Sequence, residues 1–280
     1  MNANTDRPRP LPTADFPGSP GFPDFRRPDA ATALVSSWIL PDPGLARPAA
    51  EAILDGWEHQ SRPEAMLSLS VFLSTDGGHL LNYAQWTGDD AHRAWARTRR
   101  PAAIDRIDEA LPGIRRPGLV RYRRYRSYVP DHTGGPAGRR PALLVTPAFA
   151  TTGPDVQRAL ADTLADELTR AQVPGLLGAH LHLSQDGGRV LNVAEWTGLP
   201  AWEAFVASEA SARLRAAVAA MDGVTAAPAV PDAPRVPGEP GGPGVTHYRL
   251  HRSLVNVPAG DRDDAPVKSP ARSAPSPQEA

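Results

Sequence analysis

A thirteen-residue segment, Ser74-Thr75-Asp76-Gly77-Gly78-His79-Leu80-Leu81-Asn82-Tyr83-Ala84-Gln85-Trp86, returns 110 residues later as Ser184-Gln185-Asp186-Gly187-Gly188-Arg189-Val190-Leu191-Asn192-Val193-Ala194-Glu195-Trp196. A gapless repeat of this length means that one hairpin unit was duplicated, and the duplication limits the architectures open to the chain. Both copies keep an Asp-Gly-Gly turn, then an Asn four residues ahead of a Trp. The chain's 280 residues have room for two units of about 100–150 residues, so each copy can own a core.

The order of elements is the same twice. Ala33–Leu40 reads as a strand, with Ala142–Ala150 as its counterpart. Ala49, Ile53 and Trp57, and again Leu160, Leu164 and Leu168, recur at spacing four, which predicts helices. Two strands flank each Asp-Gly-Gly turn: Met66–Thr75 with His79–Trp86, and Leu176–Gln185 with Arg189–Trp196. A second helix begins near Asp89 and near Pro200, the latter a favourable first-turn proline. The last strands correspond too, Pro117–Ser127 with Pro243–Ser253, at an offset of 126 that leaves 16 extra residues in the second copy. These fall in 222–242, a Pro/Gly/Ala run that reads as an extended loop. The Pro-rich ends, 1–29 and 258–280, are expected to be disordered, with 131–140 as a linker. The copies themselves, 30–130 and 141–257, are each β-α-β-β-α-β, the ferredoxin-like order. The expected fold is therefore α+β: two ferredoxin-like repeats packed sheet on sheet into a barrel-like intramolecular pseudo-dimer.

Alternation along the second hairpin separates two faces. Leu177, Ala179, Leu181 and Leu183, with Leu191 and Val193, form an apolar face suited to sheet-on-sheet packing. His180, His182 and Ser184, with Asn192, Ala194 and Trp196, form a mixed face of the kind that lines a small-molecule pocket beneath helices. A three-residue turn sets His182 opposite Asn192, whereas a two-residue turn breaks that pairing.

Composition removes several function classes. A net charge of −1 gives no bulk attraction to nucleic acid or to an anionic membrane. Without cysteine there are no disulfides, thiolate metal sites or Cys nucleophiles. Met1–Arg27 lacks the apolar stretch of a signal peptide, and no segment approaches the roughly 20 apolar residues of a span, so a soluble cytoplasmic protein is expected. Arg121–Arg126 interleaves arginine with tyrosine, but its counterpart His247–Arg252 keeps only part of that charge, so a solvated or edge strand is the expectation. The glycine-rich runs at Gly134–Pro136 and Gly238–Gly244 lack the Gly-Lys-Ser/Thr of a phosphate loop. No Ser-His-Asp nucleophile pattern is recognisable along the chain.

Asn82/Trp86 and Asn192/Trp196 lead the candidates for chemistry. Four apart on a strand, each pair shares a face at about 13 Å. The pair is either a core Trp with an Asn serving nearby backbone, or a pocket set; the recurrence and the mixed face favour the pocket. His180 and His182 have the spacing of metal ligands but no third partner. For His182 a general-base or hydrogen-bonding role and a plain pocket histidine both stay open. Arg106 and Arg215, in or just after the second helices, are either surface arginines or cations directed at a phenolate or enolate oxygen.

The hairpin from Ser74 to Trp86, with its copy, resembles the signature hairpin of the antibiotic biosynthesis monooxygenase family, whose ferredoxin-like subunits pair into a dimeric α+β barrel. The likeness covers about 100 residues twice, and it is closest to the quinone-forming members, which oxidise anthrone-type aromatic polyketides with O2 and no cofactor. That resemblance implies a small aromatic polyketide substrate, no metal, and a pseudo-dimer that is monomeric or weakly self-associating. It places the family's Asn and Trp on Asn82/Trp86 and Asn192/Trp196, and its pocket His on His182, where the first copy has Phe72. A family Tyr is replaced by His92 and Trp202, and a family Arg falls on Arg106 and, with one gap, on Arg215. His180, Phe72, His92 and Trp202 are then expected to line the pockets, with the fuller set in the second copy. The haem degraders of the same family use a helix His that the second copy lacks. A second reading of the same pocket is a non-catalytic protein that holds a polyketide for a partner enzyme.

Overall fold

The computed structural model describes residues 21–58, 62–98, 109, 111–130, 140–228 and 245–256. The first half runs β1 (Thr32–Ile39), α1 (Ala46–Glu58), β2 (Met66–Ser74), β3 (His79–Trp86), α2 (Asp89–Thr98) and β4 (Leu119–Tyr128). The second runs β5 (Leu143–Val145), β6 (Ala148–Thr151), α3 (Pro154–Ala171), β7 (Leu176–Ser184), β8 (Arg189–Trp196), α4 (Leu199–Val206), α5 (Glu209–Ala219), β9 (Val224–Ala227) and β10 (His247–Val255).

Antiparallel pairing takes these strands around a closed ring, β1-β4-β7-β8-β5-β10-β2-β3 and back to β1. The last strand of each half pairs with the other half, β4 on β7 and β10 on β2, so neither half closes alone. The architecture is the α+β pseudo-dimer that the repeat implies. Matching ion pairs hold the crossovers. Arg126 reaches Asp162 and Asp166 on α3, and Arg252, its counterpart at an offset of 126, reaches Glu51 and Glu58 on α1.

Both hairpins are braced alike, which explains why the Ser-x-Asp-Gly-Gly motif occurs twice. Asp186 Oδ1 accepts from Ser184 Oγ at 2.6 Å and from Gly188 N at 3.0 Å, while Ser184 Oγ accepts from Arg189 N at 2.8 Å. Ser74, Asp76, Gly78 and His79 repeat the pattern. The first glycine of each turn, Gly77 at φ +75° and Gly187 at φ +76°, is left-handed, a conformation that carries no steric cost without a Cβ.

Four expectations are corrected. The strand at 142–150 is two pieces, because Pro147 has no N–H to continue the ladder; β5 pairs with β10 and β8, and β6 with β8 and β9. Within 222–242, Val224–Ala227 is a strand on β6 rather than loop. Of the two readings of the Arg-Tyr strand β4, the edge is excluded, since it pairs with both β1 and β7, while its outward side chains are solvated. The segment before β1 is anchored on the barrel at Phe25, which is 3% exposed with its ring 5.0 Å from Tyr83, and by Gln85 Nε2, which donates to Asp24 O. Residues 1–20, 131–139 and 257–280, which hold the rest of the expected tails and linker, lie outside the described residues. No helix among the described residues is long and apolar enough to cross a membrane.

Register decides which face each side chain takes. Leu183 pairs with Val190 and His182 with Leu191, so four residues, Gln185–Gly188, separate the innermost hydrogen-bonded strand ends. An even loop puts residues of opposite parity on one face. Leu181 therefore shares the helix-side face with Asn192, while His180 and His182 share the barrel interior with Leu191 and Val193.

Candidate functional site

A cavity of about 350 Å³ lies in the second half between β8 and the helices that cover it. Asn192, Ala194 and Trp196 project into it from β8, Trp202 and Phe205 wall it from α4, and Leu214, Arg215 and Val218 close it from α5. The strand β9 contributes Val224 and Thr225, so part of the sequence insertion builds the pocket wall. Trp196, Trp202 and Phe205 form a triangle of rings with centroids 5.3–5.8 Å apart.

Polar groups are few and unanswered. Asn192 Oδ1 and Trp196 Nε1 are buried without a hydrogen-bond partner. Burying such groups unpaired costs about 1–3 kcal/mol each, so a site that keeps them is prepared for a ligand that pairs with them. Arg215 stands at the rim, its Nη1 donating to Ser211 Oγ at 2.5 Å and to Val206 O at 3.3 Å. Ser211 precedes Arg215 by one helical turn, the spacing at which helix side chains meet.

The structure thus gathers Asn192, Trp196, Trp202 and Arg215 around one cavity. It does not gather His180, His182 or Phe72 there. His182 is fully buried inside the barrel, where its Nδ1 lies 2.8 Å from His180 O and its Nε2 lies 3.0 Å from Tyr83 Oη. Because Nδ1 must donate to the carbonyl, Nε2 accepts from the tyrosine. Burial lowers the His182 pKa to about 3 and pushes that of Tyr83 up. His180 lies on the same inner face, and Phe72 packs there 5.7 Å from Phe22. The expected base is therefore separated from the cavity by the sheet, and the reason is the even hairpin loop.

The first half repeats the pair but not its surroundings. Asn82 Oδ1 and Nδ2 and Trp86 Nε1 are all buried without a partner. His92, in the place of Trp202, packs edge-on to Trp86 at 5.0 Å with its Nδ1 3.1 Å from Arg121 Nη2. Trp95 leans on Trp86 and stacks on Trp57 at 4.6 Å. Arg106 lies outside the described residues.

Several wall residues escape a linear reading. Phe205, three positions after Trp202, was visible as a helix neighbour of it, but Phe149 and the β9 residues reach the cavity only through sheet pairing.

Residues 147–217, which run from β6 into α5, match the family model described as antibiotic biosynthesis monooxygenase. Among solved structures, the chain is similar to an anthrone oxidase-like protein at 19% identity, with a TM-score of 0.58 over 80% of this chain and 93% of that one. It is also similar to a candidate monooxygenase from Fusobacterium nucleatum at 6% identity, with a TM-score of 0.51 over 81% of this chain and 95% of that one. At these identities the likeness is one of fold. No curated protein matches the chain in sequence.

Proposed function

We propose that the second half is a cofactor-independent monooxygenase site that oxidises a planar, electron-rich aromatic compound of the anthrone or phenol class to a quinone. The observation that carries this reading is the pair of unanswered polar atoms, Asn192 Oδ1 and Trp196 Nε1, in an otherwise apolar cavity of about 350 Å³. That size and lining suit a fused-ring aromatic. The rings of Trp196 and Trp202 present faces and edges to a flat substrate.

Triplet O2 reacts poorly with closed-shell molecules, but an electron-rich carbanion or phenolate can give it one electron. The balance is a ring CH2 and O2 giving C=O and water, with the substrate supplying all the electrons. The protein's task is to favour the substrate anion and to keep water out. Arg215 at the rim supplies positive charge for the enolate oxygen, Trp196 Nε1 and Asn192 Nδ2 donate hydrogen bonds to the oxyanion and to the peroxide formed on the ring, and Asn192 Oδ1 accepts from a substrate hydroxyl or from the hydroperoxide proton. His182 takes no part, because it faces the barrel interior. Proton loss is therefore assigned to the substrate's own acidity, raised by Arg215.

Oxygen uptake with an anthrone-type substrate in metal- and flavin-free buffer tests the proposal. Uptake with quinone formation supports it. Tight binding without turnover supports the second reading, a polyketide-holding accessory protein, which is favoured by one observation: Arg215 is the only ionisable side chain lining this cavity among the described residues.

A further inference from the structure

The barrel interior holds a set of groups that the cavity does not use. Ser127 on β4 sits directly opposite His180 on β7. A bulge at Tyr125 shifts the register between Arg124 and Arg126, which turns Arg124 and Ser127 onto the same inward face. Ser127 Oγ lies 2.9 Å from His180 Nδ1, and His180 Nε2 lies 2.9 Å from Glu195 Oε2. Glu195 is opposite Gly178, where an added Cβ would fall 2.8 Å from the carboxylate and 2.9 Å from the imidazole. Glycine leaves the space in which that pair meets. An ionised carboxylate only accepts, so Nε2 carries the imidazole proton and the Nδ1 lone pair faces the serine hydroxyl. Nucleophile, base and orienting acid are thereby in line.

The duplication supplies an internal control. At offsets of 126 and 110, the first half places Ser253, Ser70 and Gln85 where the second half's layer has Ser127, His180 and Glu195. Ser70 and Ser253 share a hydrogen bond of 2.7 Å, and Gln85 accepts from Ser68 at 2.7 Å. The fold closes this layer with neutral groups, so the acid–base set is no requirement of packing. The site is reachable: Ser127 is partly exposed and the Glu195 side chain is 17% exposed, while Phe25 lies beside His180 at 5.1 Å as an apolar flank.

We propose that Ser127, His180 and Glu195 form a second reactive centre, a serine nucleophile that takes a small acyl group from an activated ester. Ser127 Oγ attacks the acyl carbonyl as its proton passes to His180 Nδ1. The bond to the leaving oxygen breaks and the alcohol departs with that proton. Water, deprotonated by the same nitrogen, then releases the acid and restores the serine. Nothing here depends on the oxygenase reading, so either can fail alone.

The full chain is treated with a fluorophosphonate probe, the labelled peptide is mapped, and p-nitrophenyl acetate hydrolysis is followed alongside. Label on Ser127 is expected, with Ser127→Ala lowering hydrolysis by about 10²-fold. His180→Ser and Glu195→Gln install the residues that the first half already accommodates, so both are expected to fold. His180→Ser should slow labelling by about 10²-fold and Glu195→Gln by at least about 10-fold. No label on Ser127, or a labelling rate that neither substitution changes, overturns the proposal.

Discussion

Replacing Asn192 with leucine should raise stability and abolish most turnover, two effects of opposite sign from one side chain. Asn192 is 8% exposed and its Oδ1 is buried without a partner. Leucine has the same branched skeleton and nothing to leave unpaired, and the cavity beside it has room for its bulkier methyl groups, so the substitution removes a penalty of about 1–3 kcal/mol. For a chain of this size, each kcal/mol moves Tm by about 2–4 °C. The same change deletes the hydrogen bond that Nδ2 of the carboxamide offers to the developing oxyanion, worth about 2.7–4 kcal/mol, or 10²–10³ in rate. Thermal unfolding and oxygen uptake on one preparation read both. Asn82→Leu is the companion: its two carboxamide atoms are both unpaired, so it should stabilise at least as much while turnover in the second-half cavity holds. An Asn192→Leu protein that loses more than about 1 kcal/mol yet keeps turnover within a few-fold would refute the reasoning. The carboxamide would then be serving the fold.

Trp202→Ala should raise KM at least about tenfold, since it removes the aromatic wall on which a flat substrate packs, and should cost about 3–5 kcal/mol of stability as a large-to-small change; steady-state kinetics and urea melts read the two. Tyr83→Phe should cost about 1–3 kcal/mol, because His182 Nε2 then lies buried without its donor, and denaturant unfolding measures it. Acid should destabilise the protein well before the carboxylates titrate. Burial lowers His182 to about 3 and His247 to about 4, so the unfolded chain takes up protons near pH 6.5 that the folded one refuses until lower pH. Stability present above pH 6.5 is thus lost as pH falls toward 4, by about 1 kcal/mol per pH unit for each histidine. Urea titrations across that range should show the slope, and His247→Asn should roughly halve it.

The barrel was legible because a gapless repeat forces two copies of one topology, and period-two and period-four patterns located nearly every element. The half-pocket was legible for the same reason: Asn192 and Trp196, four apart on one strand, cannot be on different faces. His182 was not, because its face depends on a different strand and on the parity of the loop between them. Ser-x-Asp-Gly-Gly gives no count of the residues outside the ladder. Only the hydrogen bonds of Asp186 and Ser184 fix it at four, and one residue of slip sends every β7 side chain to the other side of the sheet. The Ser127–His180–Glu195 line was invisible for a stronger reason. Its members come from three strands, one of them in the other half, and a bulge at Tyr125 places the serine.

Fusion of the copies explains why their interiors differ so much. In a dimer of identical subunits, a change from Trp to His at the position of Trp202 alters both pockets, and a His–Glu pair in the barrel appears twice across the two-fold axis. In one chain each position changes alone. The first half could accept His92 against Trp86 and a stack of Trp57 on Trp95, while the second has Trp202 and Phe205 around its cavity. Conversely, the second half could take His180 and Glu195 into a layer that the first closes with Ser70 and Gln85. The crossovers keep both halves in one barrel, since β4 completes the sheet of β7 and β10 that of β2. The interior of one half can therefore diverge without loosening the other, because the stability of both rests on the barrel that they share.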